Sequence, residues 1–207
     1  MKKIRLFTPG PTMVPEEVML EMARPMEHHR TGIYKEWVKE THGLLQYLFQ
    51  TKAMCVTMAG SGTAAAEAAI VGCCPTGHKA LVVDNGKFAE RWVKVCAAFG
   101  IAHTRLPIEW GRGAKAADIS KAMDADPKID TIIIVHSETS TTALSDIAGI
   151  GRLTRDRGAL LIVDGITAVG AIPCKMDEWG VDAYITGSQK ALMLPPGLAF
   201  VAVSDRA

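Results

Sequence analysis

AYITGSQK at positions 183–190 and LLIVDG at positions 160–165 are two short apolar runs, and each ends in polar residues. A third run, TIIIV at 131–135, has a wholly apolar interior. Uninterrupted runs of this length are typical of strands that are buried on both faces, and helical stretches separate them along the chain. The sequence therefore predicts an α/β fold, with a mostly parallel sheet and helices on both faces.

The same alternation extends in both directions along the chain. Further strands are predicted at 80–83, 102–106 and 198–203, and helices at 34–49, 88–99, 116–125 and 147–157. In the first of these helices, we expect an apolar stripe to pack in the core. The stripe consists of Trp37, Leu44, Leu45 and Leu48.

Composition limits the classes of function. The chain has 207 residues, 48% of them hydrophobic, and a formal net charge of +1 with scattered basic residues. Nucleic acid and anionic membrane surfaces are therefore not expected partners, and no apolar run is long enough to cross a bilayer. The basic start of the sequence lacks the apolar segment of a signal peptide, so we expect a cytoplasmic location.

The cysteine pattern argues against a disulfide framework and against a metal site. The five cysteines are an odd number, and they lie mostly in apolar stretches without paired metal-ligand spacing. We expect buried, reduced thiols and no metal centre. The residues are Cys55, Cys73, Cys74, Cys96 and Cys174.

Polar groups recur where the predicted strands end. DNG follows the strand at 80–83, HSETST follows the strand at 131–135, and the two runs quoted first lead to Asp164 and Lys190. Functional groups of a parallel sheet gather just beyond the carboxyl ends of its strands. The recurrence predicts a functional site at that edge.

A turn of small residues, AGSGT at 59–63, precedes the helix-forming segment AAAEAAI at 64–70. Backbone N–H groups at a helix N-terminus bind anions, and the hydroxyls of Ser61 and Thr63 offer further donors to a phosphate. The alternative is an ordinary glycine turn in which one of these hydroxyls caps the helix. The spacing fits neither a GxGxxG fingerprint nor a Walker A loop.

Lys190 and Asp164, each at the end of an apolar strand, suit one kind of chemistry. A partly desolvated lysine amine forms a Schiff base with an aldehyde cofactor, and an aspartate holds the protonated ring nitrogen that makes pyridoxal 5'-phosphate (PLP) an electron sink. The alternatives are a solvated surface lysine and an aspartate that caps a helix or turn. The apolar residues around Lys190 favour the first interpretation.

Two more residues have open interpretations. Phe88 begins a predicted helix near a strand end, where it either packs in the core or covers one face of a planar ring. His136 directly follows the strand at 131–135, and it is either a catalytic base or an ordinary polar strand-end residue.

Six segments together resemble the class V aminotransferases of PLP-dependent fold type I, especially the alanine–glyoxylate and serine–glyoxylate aminotransferases. The segments occur in the family's order and span nearly the whole chain. They are TPGPT (8–12), AGSGT (59–63), DNGKFAERW (84–92), HSETSTT (136–142), VDGITAVGAIP (163–173) and GSQKALMLPPGLAF (187–200).

The resemblance implies a role for each matching residue. Lys190 would form the Schiff base and carry the proton between Cα and the cofactor, Asp164 would pair with the ring nitrogen, and Phe88 would stack on the ring. Gln189 before the lysine distinguishes the chain from cysteine desulfurases, which usually have a histidine there. The other implied contacts are with the phosphate (Ser61, Gly62, Thr63 and Gln189), the ring hydroxyl side (Thr139) and the underside of the ring (Ile166).

The resemblance also sets expectations about domains and partners. Residues 1–20 would be an N-terminal arm and residues 21–207 an incomplete PLP-binding large domain. The family's chains are longer and end in a small C-terminal domain, which supplies the arginine for the substrate carboxylate. We therefore expect this sequence to be a piece of a longer protein, and we expect a homodimer.

The expected activity is PLP-dependent amino transfer from a small amino acid, serine or alanine, to a 2-oxo acid, glyoxylate or pyruvate, in ping-pong order. One alternative is another class V PLP enzyme, either a 2-aminoethylphosphonate transaminase or a PLP lyase. A second is a PLP-binding module without activity, and a third is a nucleotide-binding α/β protein, which the missing fingerprints disfavour.

Overall fold

The computed structural model of the protein describes residues 5–207, which form one large sheet, one short hairpin and the helices that cover the sheet. The strands are β1 (Met54–Ala59), β2 (Lys79–Asp84), β3 (Ala102–Pro107), β4 (Thr131–Val135), β5 (Ser137–Glu138), β6 (Ala143–Leu144), β7 (Leu160–Asp164), β8 (Ala183–Gly187) and β9 (Leu198–Val203).

The helices of the described residues connect these strands. They are α1 (Glu16–Glu21), α2 (Gly32–Phe49), α3 (Gly62–Cys73), α4 (Lys87–Ala98), α5 (Ala116–Ala125), α6 (Ile147–Asp156) and α7 (Met176–Trp179). Within residues 5–207, no helix combines the length and the apolar character that crossing a membrane requires.

Seven strands form the large sheet in the order β1-β9-β8-β7-β4-β2-β3. Neighbours from β3 to β8 are parallel, whereas β9 is antiparallel to both β8 and β1. The predicted mostly parallel sheet is therefore confirmed, with one antiparallel strand, β9, next to the edge strand β1. The parallel strands β2, β4, β7 and β8 have their carboxyl ends at the same edge, and Asp164 lies beside Val135 of β4 and Ile185 of β8.

Strand side chains alternate between two hydrophobic cores, one on each face of the sheet. In β7, Leu161 and Val163 belong to the cluster that contains Ile150 of α6, whereas Ile162 belongs to the cluster that contains Trp92 of α4. Helices α2, α5, α6 and α7 contribute to the first cluster, and α3 and α4 to the second. The predicted covering of both faces is therefore confirmed.

The predicted stripe of α2 is only partly in the core. Leu45 is buried and Leu48 is half-buried, but Trp37 and Leu44 are 46% and 60% exposed. The prediction is wrong for these two residues, because α2 reaches the core only near its C-terminal end, where Leu45 and Phe49 are buried.

All five cysteines are buried free thiols, as their apolar surroundings predict. Burial raises the pKa of each thiol, and it does so to about 11 for Cys55 and Cys96 and about 12 for Cys74. Their thiolate forms are therefore scarce at neutral pH, which is typical of structural cysteines.

Candidate active site

A pocket with a volume of about 130 Å³ lies at the carboxyl edge of the sheet. Every residue to which the resemblance assigns a role in the site lines this one pocket, although these residues are scattered over 130 positions of the chain. The structure therefore brings the predicted set together, while the role of each residue stays a prediction. The residues are Ser61, Gly62, Thr63, Phe88, Thr139, Asp164, Ile166, Gln189 and Lys190.

Asp164 occupies the buried end of β7, and hydrogen bonds fix both of its carboxylate oxygens. The backbone N–H of Ile166 donates to Oδ1 at 3.0 Å, and the indole Nε1–H of Trp92 donates to Oδ2 at 3.1 Å. Burial raises the pKa of Asp164 to about 6, and the charge of Glu138 acts in the same direction. A cation bound in the pocket would favour the ionised carboxylate again.

Lys190 follows β8 in a turn that the N-terminal segment covers. The hydroxyl of Thr12 donates to the Lys190 carbonyl at 2.8 Å, and the Thr12 N–H donates to the Gln189 carbonyl at 3.0 Å. Gly10 lies so close that a Cβ there would be 2.3 to 2.7 Å from the outer atoms of the Lys190 side chain. Partial burial lowers the pKa of the Lys190 amine, against the opposing charge of Asp164.

The first turn of α3 forms another part of the wall. Ser61 is the N-cap residue, but its side chain makes no capping hydrogen bond. The hydroxyl of Thr63 instead accepts a hydrogen bond from Arg91 at 2.7 Å. Capping by a hydroxyl, the alternative reading of this turn, is therefore not seen in the structure. A Cβ at Gly62 would be 2.5 Å from Ile166, so the glycine makes room for that side chain.

Phe88 lies in the first turn of α4, where a buried carboxylate holds the backbone. Glu138 is fully buried, and its Oε2 accepts hydrogen bonds from the N–H groups of Phe88 at 3.2 Å and Ala89 at 3.0 Å. A carboxylate at a helix N-terminus satisfies free N–H groups and complements the helix dipole. Glu138 therefore fixes the start of α4 and, with it, the half-buried ring of Phe88.

Thr139 lies on the polar side of the pocket. Its hydroxyl donates to the hydroxyl of Thr167 at 3.3 Å, and Thr167 donates onward to the carbonyl of Ser137 at 2.8 Å. This chain of hydroxyls suits a polar substituent on a ring, such as the predicted ring hydroxyl.

His136 does not line this pocket. Its Nδ1 lies 2.6 Å from the hydroxyl of Tyr184 and 3.8 Å from the sulfur of Cys174, in a buried cluster on the α6–α7 side of the sheet. Burial lowers the pKa of His136 to about 4. Of the two interpretations left open by the sequence, the structure supports a polar residue in the core.

Sequence reasoning missed five residues of the wall. Arg91 and Trp92 follow Phe88 by one helical turn, so the helical period already places them on its face of α4. The others are hydroxyl or apolar residues beside predicted strand ends. The missed residues are Arg91, Trp92, Val135, Ser137 and Thr167.

Curated proteins similar to this chain are about twice as long. The small subunit of a soluble hydrogenase from Synechococcus sp. (strain PCC 6716) is 39% identical over 208 residues, which cover 99% of this chain and 54% of that protein. The serine–glyoxylate aminotransferase of Hyphomicrobium methylovorum is 38% identical, over 98% of this chain and 51% of that protein. The chain thus spans about half the length of the curated relatives it matches.

Solved structures and a family model agree with the sequence resemblance. The crystal structure of an alanine–glyoxylate aminotransferase from Nostoc sp. superposes with a TM-score of 0.92 at 29% identity, and the match covers 100% of this chain and 56% of that one. The family model described as aminotransferase class-V matches residues 4–207. The chain therefore belongs to the class V aminotransferases, a family of PLP-dependent enzymes of fold type I.

Proposed function

We propose that this chain carries the cofactor site of a PLP-dependent aminotransferase. The enzyme would move an amino group from serine or alanine to glyoxylate or pyruvate in ping-pong order. One observation carries the proposal: a partly buried lysine amine, Lys190, and a buried carboxylate, Asp164, line the same small pocket. Serine, alanine and glyoxylate are the substrates named for the related enzymes from Hyphomicrobium and Nostoc.

The wall of the pocket fits PLP group by group. The uncapped N-terminus of α3, with Thr63, suits the phosphate, and Gln189 would add a side-chain donor. Phe88 and Ile166 offer apolar surface to a planar ring, and Thr139 offers a hydroxyl to a polar substituent. The phosphate, the faces of the ring and a polar ring substituent would thus each meet a protein group of matching chemistry.

PLP, when bound, supplies an aldehyde that condenses with amines and a ring that takes up negative charge from the substrate Cα. Partial burial lowers the pKa of Lys190, so a larger fraction of its amine is unprotonated and able to attack or to accept a proton at Nζ. In the proposed reaction, the amine takes the proton from Cα and returns it on the cofactor side.

Asp164 would keep the ring nitrogen protonated. Its pKa is raised in the absence of a cation, and a pyridinium beside it would lower that pKa again, because opposite charges favour each other. The hydrogen bonds from Trp92 and Ile166 hold the carboxylate in a single orientation, so this pairing needs little reorganisation.

The proposal extends to domains, location and assembly. Residues 1–20 would be the N-terminal arm and residues 21–207 the large domain, in a cytoplasmic enzyme that forms a homodimer. Exposed apolar side chains on α1 and α2 favour an interface there, because a soluble monomer rarely exposes so many large side chains together. These side chains include Met19, Leu20, Trp37, Leu44 and Tyr47.

The first experiment is the intact mass of the native protein after borohydride reduction, followed by peptide mapping. We expect an adduct of the mass of reduced PLP on Lys190, and none on the Lys190→Ala variant. The same preparations are then assayed with serine and alanine as donors and glyoxylate and pyruvate as acceptors. Absence of the adduct from the wild-type protein contradicts the proposal.

The assay also separates the related activities. Amino transfer from 2-aminoethylphosphonate, or elimination that proceeds without a 2-oxo acid, identifies another class V PLP enzyme. An adduct on Lys190 without any turnover identifies a PLP-binding module. Each of these three outcomes overturns the proposed activity. All three leave the assignment of PLP as the cofactor in force.

A further inference from the structure

We propose that Arg91 is a further cofactor-binding residue, and that its guanidinium binds the phosphate group at the α3 end of the pocket. The inference rests on the proposed function, because it concerns the same site. Neither the sequence motifs nor the family resemblance assigned a role to this residue.

Arg91 joins two parts of the pocket wall that lie on different helices. Its Nη1 donates to the hydroxyl of Thr63 at 2.7 Å, at the first turn of α3. Its Cζ lies 5.2 Å from the centroid of the Phe88 ring, which is a cation–π distance. These contacts hold the guanidinium between the predicted phosphate end and the predicted ring face.

In the described part of the chain, no acidic side chain forms an ion pair with Arg91. Its neighbours Lys87 and Lys94 on α4, by contrast, pair with Glu90 at 2.8 and 3.0 Å. The charge of Arg91 also reaches the interior of the pocket, since it lowers the pKa of Asp164. A positive charge that faces a pocket without a carboxylate partner suits an anionic ligand.

The hydrogen bond to Thr63 has a chemical consequence. Because the Thr63 oxygen accepts from Arg91, its own O–H remains free to donate toward the pocket. The α3 N-terminus, which lacks a side-chain cap, offers backbone donors at the same place. A guanidinium has five N–H donors in a planar fork that matches a phosphate, and one of them is used here.

The test compares PLP with pyridoxal, which has the same ring and aldehyde but no phosphate. Arg91→Met and Arg91→Lys are made in the full native gene, with Lys94→Met as the matched control on the same helix. The dissociation constants of both compounds are measured by absorbance titration of the cofactor-free proteins. The melting temperature of each variant reports on its folding.

We expect Arg91→Met to raise the PLP dissociation constant by about 10-fold or more and the pyridoxal constant by less than about 2-fold. Arg91→Lys keeps the charge but loses the fork, so its PLP constant falls between those of the wild type and Arg91→Met. Lys94→Met leaves both constants unchanged.

Three results overturn the inference. Equal weakening of PLP and pyridoxal means that Arg91 acts through the Phe88 ring or the fold, and unchanged PLP binding means that it does not touch the phosphate. If PLP binding is unchanged and the KM for the amino acid, measured on the same variants, rises, Arg91 binds the substrate carboxylate instead. If the wild-type protein binds neither compound, the proposed function has failed, which is distinguishable from a failure of Arg91 alone.

Discussion

The indole N–H of Trp92 donates a 3.1 Å hydrogen bond to Asp164, which links α4 to the end of β7 across 72 positions of the chain. Both residues are buried, with exposures of 1% and 5%. A donor to a carboxylate favours its ionised form, so this bond partly offsets the burial that raises the pKa of Asp164. Trp92 therefore helps to keep Asp164 charged and correctly oriented.

Trp92→Phe removes this donor and keeps most of the aromatic volume. We expect the pKa of Asp164 to rise further and the PLP dissociation constant at neutral pH to increase by about 5- to 10-fold. Titrations at a series of pH values check this, because the pH below which binding weakens moves upward. Trp179→Phe is the control, because the Trp179 ring packs against His136, with 5.9 Å between ring centroids, and not against Asp164. An unchanged pH profile in Trp92→Phe contradicts the assigned role.

Asp164→Asn tests how the buried carboxylate affects the stability of the protein without PLP. Burial raises the pKa of Asp164 to about 6 from 3.8, so the folded state holds the proton more tightly than the unfolded state. The free energy of unfolding of the wild type, measured relative to that of the variant, must therefore fall as the pH rises from about 4 to about 6. The total fall is at most about 3 kcal/mol, and the difference stays constant at higher pH. Urea unfolding without PLP measures this difference.

At neutral pH, PLP is expected to shift the stability difference in favour of the wild type. The ionised carboxylate then has a cationic partner, so ligand binding stabilises the wild type more than Asp164→Asn. A difference in urea stability that is independent of pH between 4 and 6 contradicts the buried, proton-binding state of this carboxylate.

The sequence predicts features that depend on one short segment or on a general rule for parallel sheets. The strand at 131–135 is found at its predicted bounds, because five consecutive buried residues leave little choice of structure. Asp164 and Lys190 line the same pocket because the carboxyl ends of parallel strands lie at one edge of the sheet, which is a general rule. The direction of β9 was not predictable, since its apolar run 198–203 has the same pattern in either orientation.

Contacts between distant elements were not predictable. The Trp92–Asp164 and Thr12–Lys190 hydrogen bonds join segments that carry no mark of each other in the sequence. His136 illustrates the same limit, because the face on which a strand-end side chain lies depends on how the chain leaves the strand.

Glu138 should be important for the stability of the fold as well as for the position of Phe88. Its buried carboxylate accepts hydrogen bonds from the N–H groups of Phe88, Ala89 and Ser140. Glu138→Ala leaves these donors unsatisfied, and we expect a loss of about 3 kcal/mol in the free energy of unfolding together with weaker PLP binding. Urea unfolding and PLP titration measure the two effects.

Glu90→Ala is the matched control for that prediction, because Glu90 lies on the same helix and pairs only with exposed lysines. Exposed ion pairs contribute little to stability, so its unfolding curve should stay close to that of the wild type. Equal effects of the two substitutions contradict the capping role of Glu138.

Gly10 tests whether the N-terminal segment lies on the reactive lysine. A Cβ at this position would be 2.3 Å from Cδ and 2.5 Å from Nζ of Lys190, so Gly10→Ala must displace the amine. The lysine side chain is flexible, and we therefore expect the variant to fold normally. Misplacing an attacking atom by about 1 Å costs up to about 100-fold in rate, so covalent labelling of Lys190 by PLP, fixed with borohydride and followed by mass, should slow by about 10-fold or more.

Gly10→Ala leaves Phe88 and Asp164 of the pocket unchanged, so no hydrogen bond to a ligand is lost there. The variant should therefore bind the alcohol form of PLP, in which the aldehyde has been reduced, with an affinity within about 2-fold of the wild type. Gly43→Ala is the control: a Cβ there meets nothing within 4 Å, and Gly43 lies inside α2. That change should stabilise the helix by about 0.5–1 kcal/mol and leave labelling unchanged. Labelling of Gly10→Ala at the wild-type rate means that the segment leaves Lys190 in solution, and the lowered pKa of its amine then needs another cause.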